Sequence, residues 1–473
     1  MLGYRGEMTD ENIRRIFDGA ADFIARPLRC GEHRLYAYAI DGLIAAAYAS
    51  DYVLKPIAEE LKGHTMQQLY DRGLEGTIYN CVAVPCKELD DVAFTLVNGF
   101  CVVLFPGVGA IAYEVKTPDK RGTSAPDVEN TVKGAKDAFV ETVRSNTSYV
   151  RRHLRSPDLR IYETQVGKRS LTNVSVVWLE GVTDPILVER VKRRLSAIEI
   201  DGMLTPSSVE EYLTGSRATA FPLLQYTERT DRFCSGVLKG RVGVLVDGLP
   251  IGYLLPVDIG YLMNSPEDQS RDYISASWVR ILRYLALLAS LLLPAVYVAL
   301  TVYHPNLIPD VLLSVIEESR DGLPWSSAWE VIGLLVAFEL LQETGIHLPQ
   351  NIGQSVSIIG GIVLGTTAVE AGLISPMALI VVSVVGICGF VIPNRDLATA
   401  VRVCRFGFSL VAAFTGLTGV AIGVALLVVH LLMLRSLDVP YLVLFEPGIL
   451  RKRLQKNKRR DPKLKTEDRY KQK

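Results

Sequence analysis

The side chains of this 473-residue chain that can do chemistry lie at the edges of apolar segments, and they fit no catalytic pattern. There is no Gly-rich phosphate loop, no GxSxG elbow and no HExxH pair, and His33, His64, His153, His304, His347 and His430 lack metal-ligand spacing. The seven cysteines are scattered, with Cys81 and Cys86 too far apart for a CxxC pair, so neither a disulfide framework nor a zinc site is expected. The expectation is therefore no enzyme, no metal and no cofactor. Charged groups stand out instead. Thr227-Glu228-Arg229-Thr230-Asp231 and Ser265-Pro266-Glu267-Asp268 are compact clusters, readable either as caps and salt bridges or as contacts that couple domains. Glu370 is the only formal charge between Asn351 and Asn394, and Glu339 and Glu343 punctuate another apolar segment. A carboxylate in hydrocarbon costs roughly 2.5–3.5 kcal/mol or more, so such groups face a bundle interior or a water path.

The elements that must position these carboxylates occupy the C-terminal third. A hydrocarbon core of about 30 Å needs roughly 20 apolar residues as helix, and runs such as 358–365 and 378–385 supply them. Without water to satisfy the backbone, the spans must be helices. Ile281 to Tyr303 is the first, with Arg283 and Tyr284 at one end and Tyr303 and His304 at the other. A loop from His304 to Ser327 follows. Ala328 to Thr344 is ambiguous, being short and acidic, Gln354 to Leu373 and Pro376 to Ile392 form a helical hairpin, and Leu397 to Leu434 is long enough for one overlong span or for two short ones divided at Gly416-Leu417-Thr418-Gly419.

The net charge of zero hides an asymmetry: residues 451–473 hold twelve Lys and Arg against three Asp and Glu. Positive charge near span ends marks the cytoplasmic face, which puts this tail inside. No apolar h-region precedes the Ala-rich stretch near residue 45, so no signal peptide is expected and the N-terminal region is also placed inside. Both ends on one face require an even number of crossings, four or six.

Residues before Ile281 read as water-soluble. An amphipathic helix is expected over Glu11 to Arg26, then a strand from Leu35 to Ile40. Val92–Val97, Asn98-Gly99 and Phe100–Phe105 read as a hairpin, Ala110 to Val115 as a third strand, and Pro126 as the start of a long helix carrying Val132, Phe139, Val143, Val150 and Leu154 on one face. Asn173 to Leu179 is a strand. Asp184-Pro185 then starts a helix that Asp201-Gly202 closes, and Gly240–Leu255 is another hairpin around Asp247-Gly248. The two hairpins hint at related halves. The resulting plan is an α/β soluble N-terminal region of two subdomains followed by an α-helical polytopic membrane domain: an amphipathic segment at 1–31, subdomains at 32–160 and 161–276, the membrane domain at 277–436 and a basic tail at 437–473.

In order along the chain, Glu180-Gly181-Val182, the run from Arg193-Arg194-Leu195 to Ile200-Asp201-Gly202, Phe221-Pro222 with Thr227-Glu228-Arg229, Gly240-Arg241-Val242 with Asp247-Gly248, and Ser265–Asp268 appear. Leu293–Leu300, His304-Pro305, Phe338-Glu339, Leu348-Pro349, Ile352-Gly353-Gln354, Ala368–Gly372 and Pro440-Tyr441 follow. Jointly this order resembles the A subunit of GerA-type spore germinant receptors, from about residue 90 to 448. The chain departs from the family pattern at Lys133-Gly134-Ala135, usually Arg-Gly-Pro, and at Thr230, where Pro usually follows Thr-Glu-Arg. Leu335 and Gln342 stand where the membrane segment often has an acidic residue and an Arg.

The resemblance implies a nutrient-sensing receptor subunit in the spore inner membrane. Its expected partners are a transporter-like B subunit, a lipoprotein C subunit, further copies of itself and membrane lipids, with no nucleic acid. It also implies a germinant-gated cation-conducting path. Small residues fit this: Gly360, Gly361, Gly365 and Ala368, with Leu364 as the bulky member, allow either tight helix packing or a narrow pore. Glu370 would sit near the mouth, with Glu339 and Glu343 as further membrane carboxylates, while Thr227, Glu228, Arg229, Asp231, Glu267 and Asp268 would couple the domains. A membrane-anchored signalling or scaffold subunit and a secondary transporter remain as alternatives.

Overall fold

Alternating burial along the strands shows why this chain builds its sheets. Tyr38, Ile40, Val102, Leu104, Ala110 and Ala112 fill one side of the first sheet, whereas Leu35, Ala37, Cys101, Val103, Ile111 and Tyr113 fill the other. Successive strand residues point to opposite faces, so both faces of this sheet are packed. The computed structural model describes residues 4, 6–59, 64–75, 78, 81–116, 126, 129, 134–202, 205–215, 219–347, 361 and 363–442. Among them, one unit comprises residues up to 216 with 224–256, and the other 217–223 with those from 257 onward.

The first sheet runs β1 (Phe23–Cys30), β2 (His33–Ile40), β3 (Ala83–Cys86), β4 (Phe100–Phe105) and β5 (Gly109–Glu114). The second runs β6 (Leu159–Val166), β7 (Thr172–Leu179), β8 (Gln225–Thr227), β9 (Val242–Val246) and β10 (Gly252–Leu255). Their spatial orders are β1-β2-β4-β5-β3 and β6-β7-β9-β10-β8, with every pairing antiparallel. Adding five to each number of the first order yields the second, so the related halves hinted at by the hairpins are a repeat of topology.

The main helices of this unit are α1 (Asp10–Ile16), α2 (Met66–Leu74), α3 (Leu89–Val97), α4 (Val143–His153), α5 (Pro185–Ser196), α6 (Pro206–Thr214) and α7 (Thr230–Leu238). The expected hairpin at Asn98-Gly99 is corrected by α3. Glu88 and Asp91 form a capping box there, and Leu89, Val92, Ala93, Leu96 and Val97 bury one helical stripe. Asn98-Gly99 ends α3 as Lys239-Gly240 ends α7, with φ of 82° and 84° at the glycines, a left-handed conformation that side chains resist. The true counterpart of the β9–β10 hairpin is β4–β5.

Other expectations shift at their edges. The first helix stops at Ile16, and Phe23 and Ile24 belong to β1. The helix expected from Pro126 begins only at Val143, because the Asn146 amide holds both the N–H and the C=O of Val140, at 2.8 and 2.6 Å, in a non-helical approach. Asp184 caps α5 as expected, accepting from the Ile186 N–H at 2.9 Å, but α5 ends at Ser196; Asp201 instead turns against Arg169.

The second unit is helical: α8 (Tyr273–Tyr303), α9 (Asp310–Arg320), α10 (Ser327–His347), α11 (Pro376–Phe390) and α12 (Arg395–Met433). By length and composition α8 and α12, with 31 and 39 residues and mean hydropathy 2.3, suffice to cross a membrane; α11 is apolar but shorter. α9 lies within the stretch expected as a loop. At about 1.5 Å per residue α12 is roughly twice the length of a hydrocarbon core. It breaks at Gly416, with φ 62° and ψ −149°, within the segment marked for a break. Any Cβ there would come within 3.0 Å of Tyr303. Val257 and Ile259 belong to this unit because their N–H groups donate to Ser436 Oγ (3.0 Å) and the Tyr441 carbonyl (3.2 Å).

Candidate functional site

Three polar constellations carry the candidate residues, one in the sheet unit and two in the helical unit. In the first, Thr227 ends β8 and Thr230 starts α7, and their motif becomes the hub of a buried network. Arg229, 1% exposed, donates from Nε and Nη2 to Asp231 at 3.0 and 2.7 Å, and from Nη2 and Nη1 to the carbonyls of Ala135 (2.9 Å) and Glu129 (3.2 Å). A planar guanidinium spends its fork this way when buried. The Glu129 carboxylate is shared by Thr227 and Arg232. Glu228 contributes its carbonyl, which accepts from the Phe139 N–H at 2.8 Å.

Beside it, Thr230 Oγ donates to Asp137 Oδ2 at 2.6 Å, and His153 Nε2 lies 2.6 Å from the same oxygen and 3.1 Å from Thr230 Oγ. The residue types are those of a hydroxyl nucleophile relay, but the geometry is not. A relay needs the carboxylate on one ring nitrogen and the hydroxyl on the other; here both face Nε2, and Thr230 is fully buried. The hydrogen bond to His153 holds the Asp137 carboxyl well below the usual carboxylate range, and the same bond raises the His153 imidazole. This is a structural ion pair.

The second constellation precedes α8. Ser265 and Asp268 form a capping box on a short turn, and Asp268 Oδ2 accepts from Arg280 Nε (3.1 Å) and Arg283 Nη1 (2.7 Å) while Glu267 pairs with Arg271 at 3.0 Å. Asp268 and Arg283 are 1% and 7% exposed. The pairings with Arg271 and Arg280 follow from sequence spacing. Arg283 does not, having looked like an interfacial residue.

The third lies among α10, α11 and α12. Glu339 Oε1 accepts from Arg402 Nη1 at 2.7 Å, Gln342 Oε1 accepts from the same nitrogen at 2.7 Å, and Arg405 Nη2 lies 4.0 Å from Glu339 Oε2. Glu339 and Gln342, like Arg402 and Arg405, are spaced three apart and so share one face of their helices. That spacing was the available signal. A cavity of about 860 Å³ adjoins this cluster and is lined by Gly361 and Gly365 among others. At Gly386, on its α11 wall, a Cβ would come within 2.6 Å of the Phe338 ring, so that glycine permits α10 and α11 to approach. Nearby, Glu330 accepts from the Ser375 N–H at the start of α11 and lies 4.0 Å from Arg320.

The remaining membrane candidates are placed as follows. Gly360 and the side chain of Leu364 lie outside the described residues. Gly361, Glu343 and Glu370 are exposed, Gly365 and Ala368 half-buried. Glu370 closes the helical stretch 363–370 ahead of the turn at Gly372. The structure thus joins Glu339 to two arginines and leaves Glu370 apart from them.

Known proteins place these clusters in context. A family model described as "Bacillus/Clostridium GerA spore germination protein" matches residues 11–472. Spore germination protein A1 of Bacillus subtilis (strain 168) is 34% identical over 76% of this chain and 75% of its own length. Spore germination protein KA of the same strain is 31% identical over 89% and 78%, and the membrane protein YfkQ 31% over 91% and 84%. Among solved structures, the N-terminal domain of the A subunit of the Bacillus megaterium spore germinant receptor GerK3 is 22% identical, with a TM-score of 0.42, over 54% of this chain and 96% of that one. The match through both units, from the sheets to the polar clusters of the helices, makes this chain a member of the GerA spore germination protein family.

Proposed function

We propose that this chain is the membrane subunit of a nutrient-sensing germination receptor in the spore inner membrane. The observation that carries the reading is the family match over residues 11–472, which takes in the sheet unit and both long apolar helices together. In this reading the helical unit is polytopic, with the N-terminal unit and the basic tail cytoplasmic, and it works with a transporter-like B subunit and a lipoprotein C subunit. Several copies assemble around a cation-conducting path. The small residues Gly361, Gly365 and Ala368 keep that path narrow, and the exposed carboxylate of Glu370 attracts cations at its mouth. Thr227, Arg229 and Asp231 in the sheet unit, and Glu267 and Asp268 in the helical unit, stiffen the segments through which a nutrient signal reaches the helices.

Spores in which this chain is the sole A subunit, expressed with its cognate subunits, should release cations and germinate on addition of a nutrient panel. Deleting the chain should abolish both responses; an unchanged response would contradict the proposal. The transporter alternative draws on the break at Gly416, since interrupted helices form substrate sites in transporters. Nutrient uptake into liposomes holding the chain, without ion release, would favour it.

A further inference from the structure

Arg405 is a buried cation on α12. It is 1% exposed, yet its Nε and Nη2 have no hydrogen-bond partner among the described residues. Its neighbour Arg402 is spent on Glu339, Gln342 and Thr399, so the single carboxylate of Glu339 faces two guanidinium groups, and its Oε2 makes no hydrogen bond of its own. Leaving a buried cation with idle donors is unfavourable unless something supplies the missing acceptors.

Both Arg405 and Arg402 line the cavity of about 860 Å³, and Arg395, the first residue of α12, lines it too. Phe338, Leu379 and Val382 supply its apolar wall. The volume is that of a ligand site, roughly 300–1,000 Å³. Among the described residues that line it, three are arginines and none is acidic, which calls for an anion. The hydrocarbon lining calls for an apolar tail on it. An inorganic anion would leave that wall against water, and a fatty chain alone would leave Arg405 unpaired.

We propose that this cavity binds an anionic phospholipid, whose phosphate lies against the guanidinium groups of Arg395, Arg402 and Arg405 while an acyl chain covers Phe338, Leu379 and Val382. Basic pockets between membrane helices hold lipid headgroups in this manner. The inference rests on the reading of α8 to α12 as lying in a bilayer. It goes beyond that reading by assigning the lipid a fixed site, so that the lipid links α10, α11 and α12.

The test uses the full chain purified in a neutral detergent, with phosphatidylglycerol, phosphatidylcholine and inorganic phosphate as probes, read by retained adducts in native mass spectrometry and by thermal stabilisation. Phosphatidylglycerol should be retained and stabilise the chain, with phosphatidylcholine weaker by about tenfold or more, because its phosphate is accompanied by a quaternary ammonium that the three lining arginines repel. Arg405→Gln should abolish that preference. Because Arg405 is buried and its variant can fail to fold, the exposed Arg395→Gln is the second probe; it should keep the fold and weaken phosphatidylglycerol retention severalfold. Glu339→Gln, which removes the competing carboxylate, should strengthen it. Equal retention of the two lipids, or a preference that Arg395→Gln and Arg405→Gln leave intact, would overturn the site. Arginine-dependent binding of inorganic phosphate as tight as that of the lipid would assign the cavity to a free anion and overturn the lipid claim. Displacement of the lipid by copurified receptor subunits would assign it to a protein contact. A chain that does not fractionate with membranes would sink the bilayer reading itself, which separates that failure from these.

Discussion

Thr230 shows how one hydroxyl can tie together groups distant in the chain. It joins Asp137 to His153. Because His153 has its protonation raised by Asp137, its contribution to stability is complete below the ordinary histidine range near 6.5 and is lost as pH rises through the raised value. Asp137 works in the opposite sense, its lowered carboxyl contributing above roughly 3.9 and losing that contribution in acid. The thermal midpoint of the full chain in detergent should therefore fall by a few degrees between pH 6 and pH 8. His153→Gln should flatten that slope and also lessen the acid sensitivity, because the same hydrogen bond holds the Asp137 carboxyl down; a variant with the wild-type slope would remove His153 as its source. Thr227-Glu228-Arg229-Asp231 was legible as a cluster from its spacing alone. Glu129, Ala135, Asp137 and His153 were not, because they reach it across 77 to 100 residues of chain.

Among the elements, apolar periodicity located most strands and both long helices, and it failed where an apolar run is short. Val92–Val97 is rich in β-sheet formers and precedes Asn-Gly, so it reads as half of a hairpin; only the Glu88 to Asp91 capping box marks it as helix. α10 was ambiguous because its carboxylates look unsuited to an apolar span, and two of them, Glu330 and Glu339, prove to have partners on other elements. The start of α8 gives a prediction at this scale. Asp268→Ala would leave Arg283 buried without its carboxylate, with only the Met263 carbonyl at 3.4 Å recorded as a further acceptor, and breaking such a pair costs roughly 3–5 kcal/mol. Glu267→Ala removes a half-exposed pair worth up to about 1 kcal/mol. Protein level and melting of the two variants should differ accordingly. If Asp268→Ala instead accumulates normally and melts like wild type but blocks germination, the segment transmits a signal and adds little stability.

At the scale of the whole molecule, a topologically repeated pair of sheets is joined in one chain to a helical unit carrying two helices that satisfy the length and apolarity of a membrane span. The division into polar and apolar parts was plain from hydropathy. The place of the unit boundary was not, since the turn of chain after Pro256 is held by Ser436 and Tyr441, which follow the last helix. The central claim is that the assembled helical units conduct cations past Gly365 and Glu370. Potassium flux from liposomes containing the purified, assembled chain tests it most directly. The account predicts flux selective for cations, lowered in Glu370→Gln and blocked in Gly365→Leu, with assembly unchanged in both. Correctly assembled chain that passes no ions, or a Glu370→Gln assembly with wild-type conductance and selectivity, would contradict it.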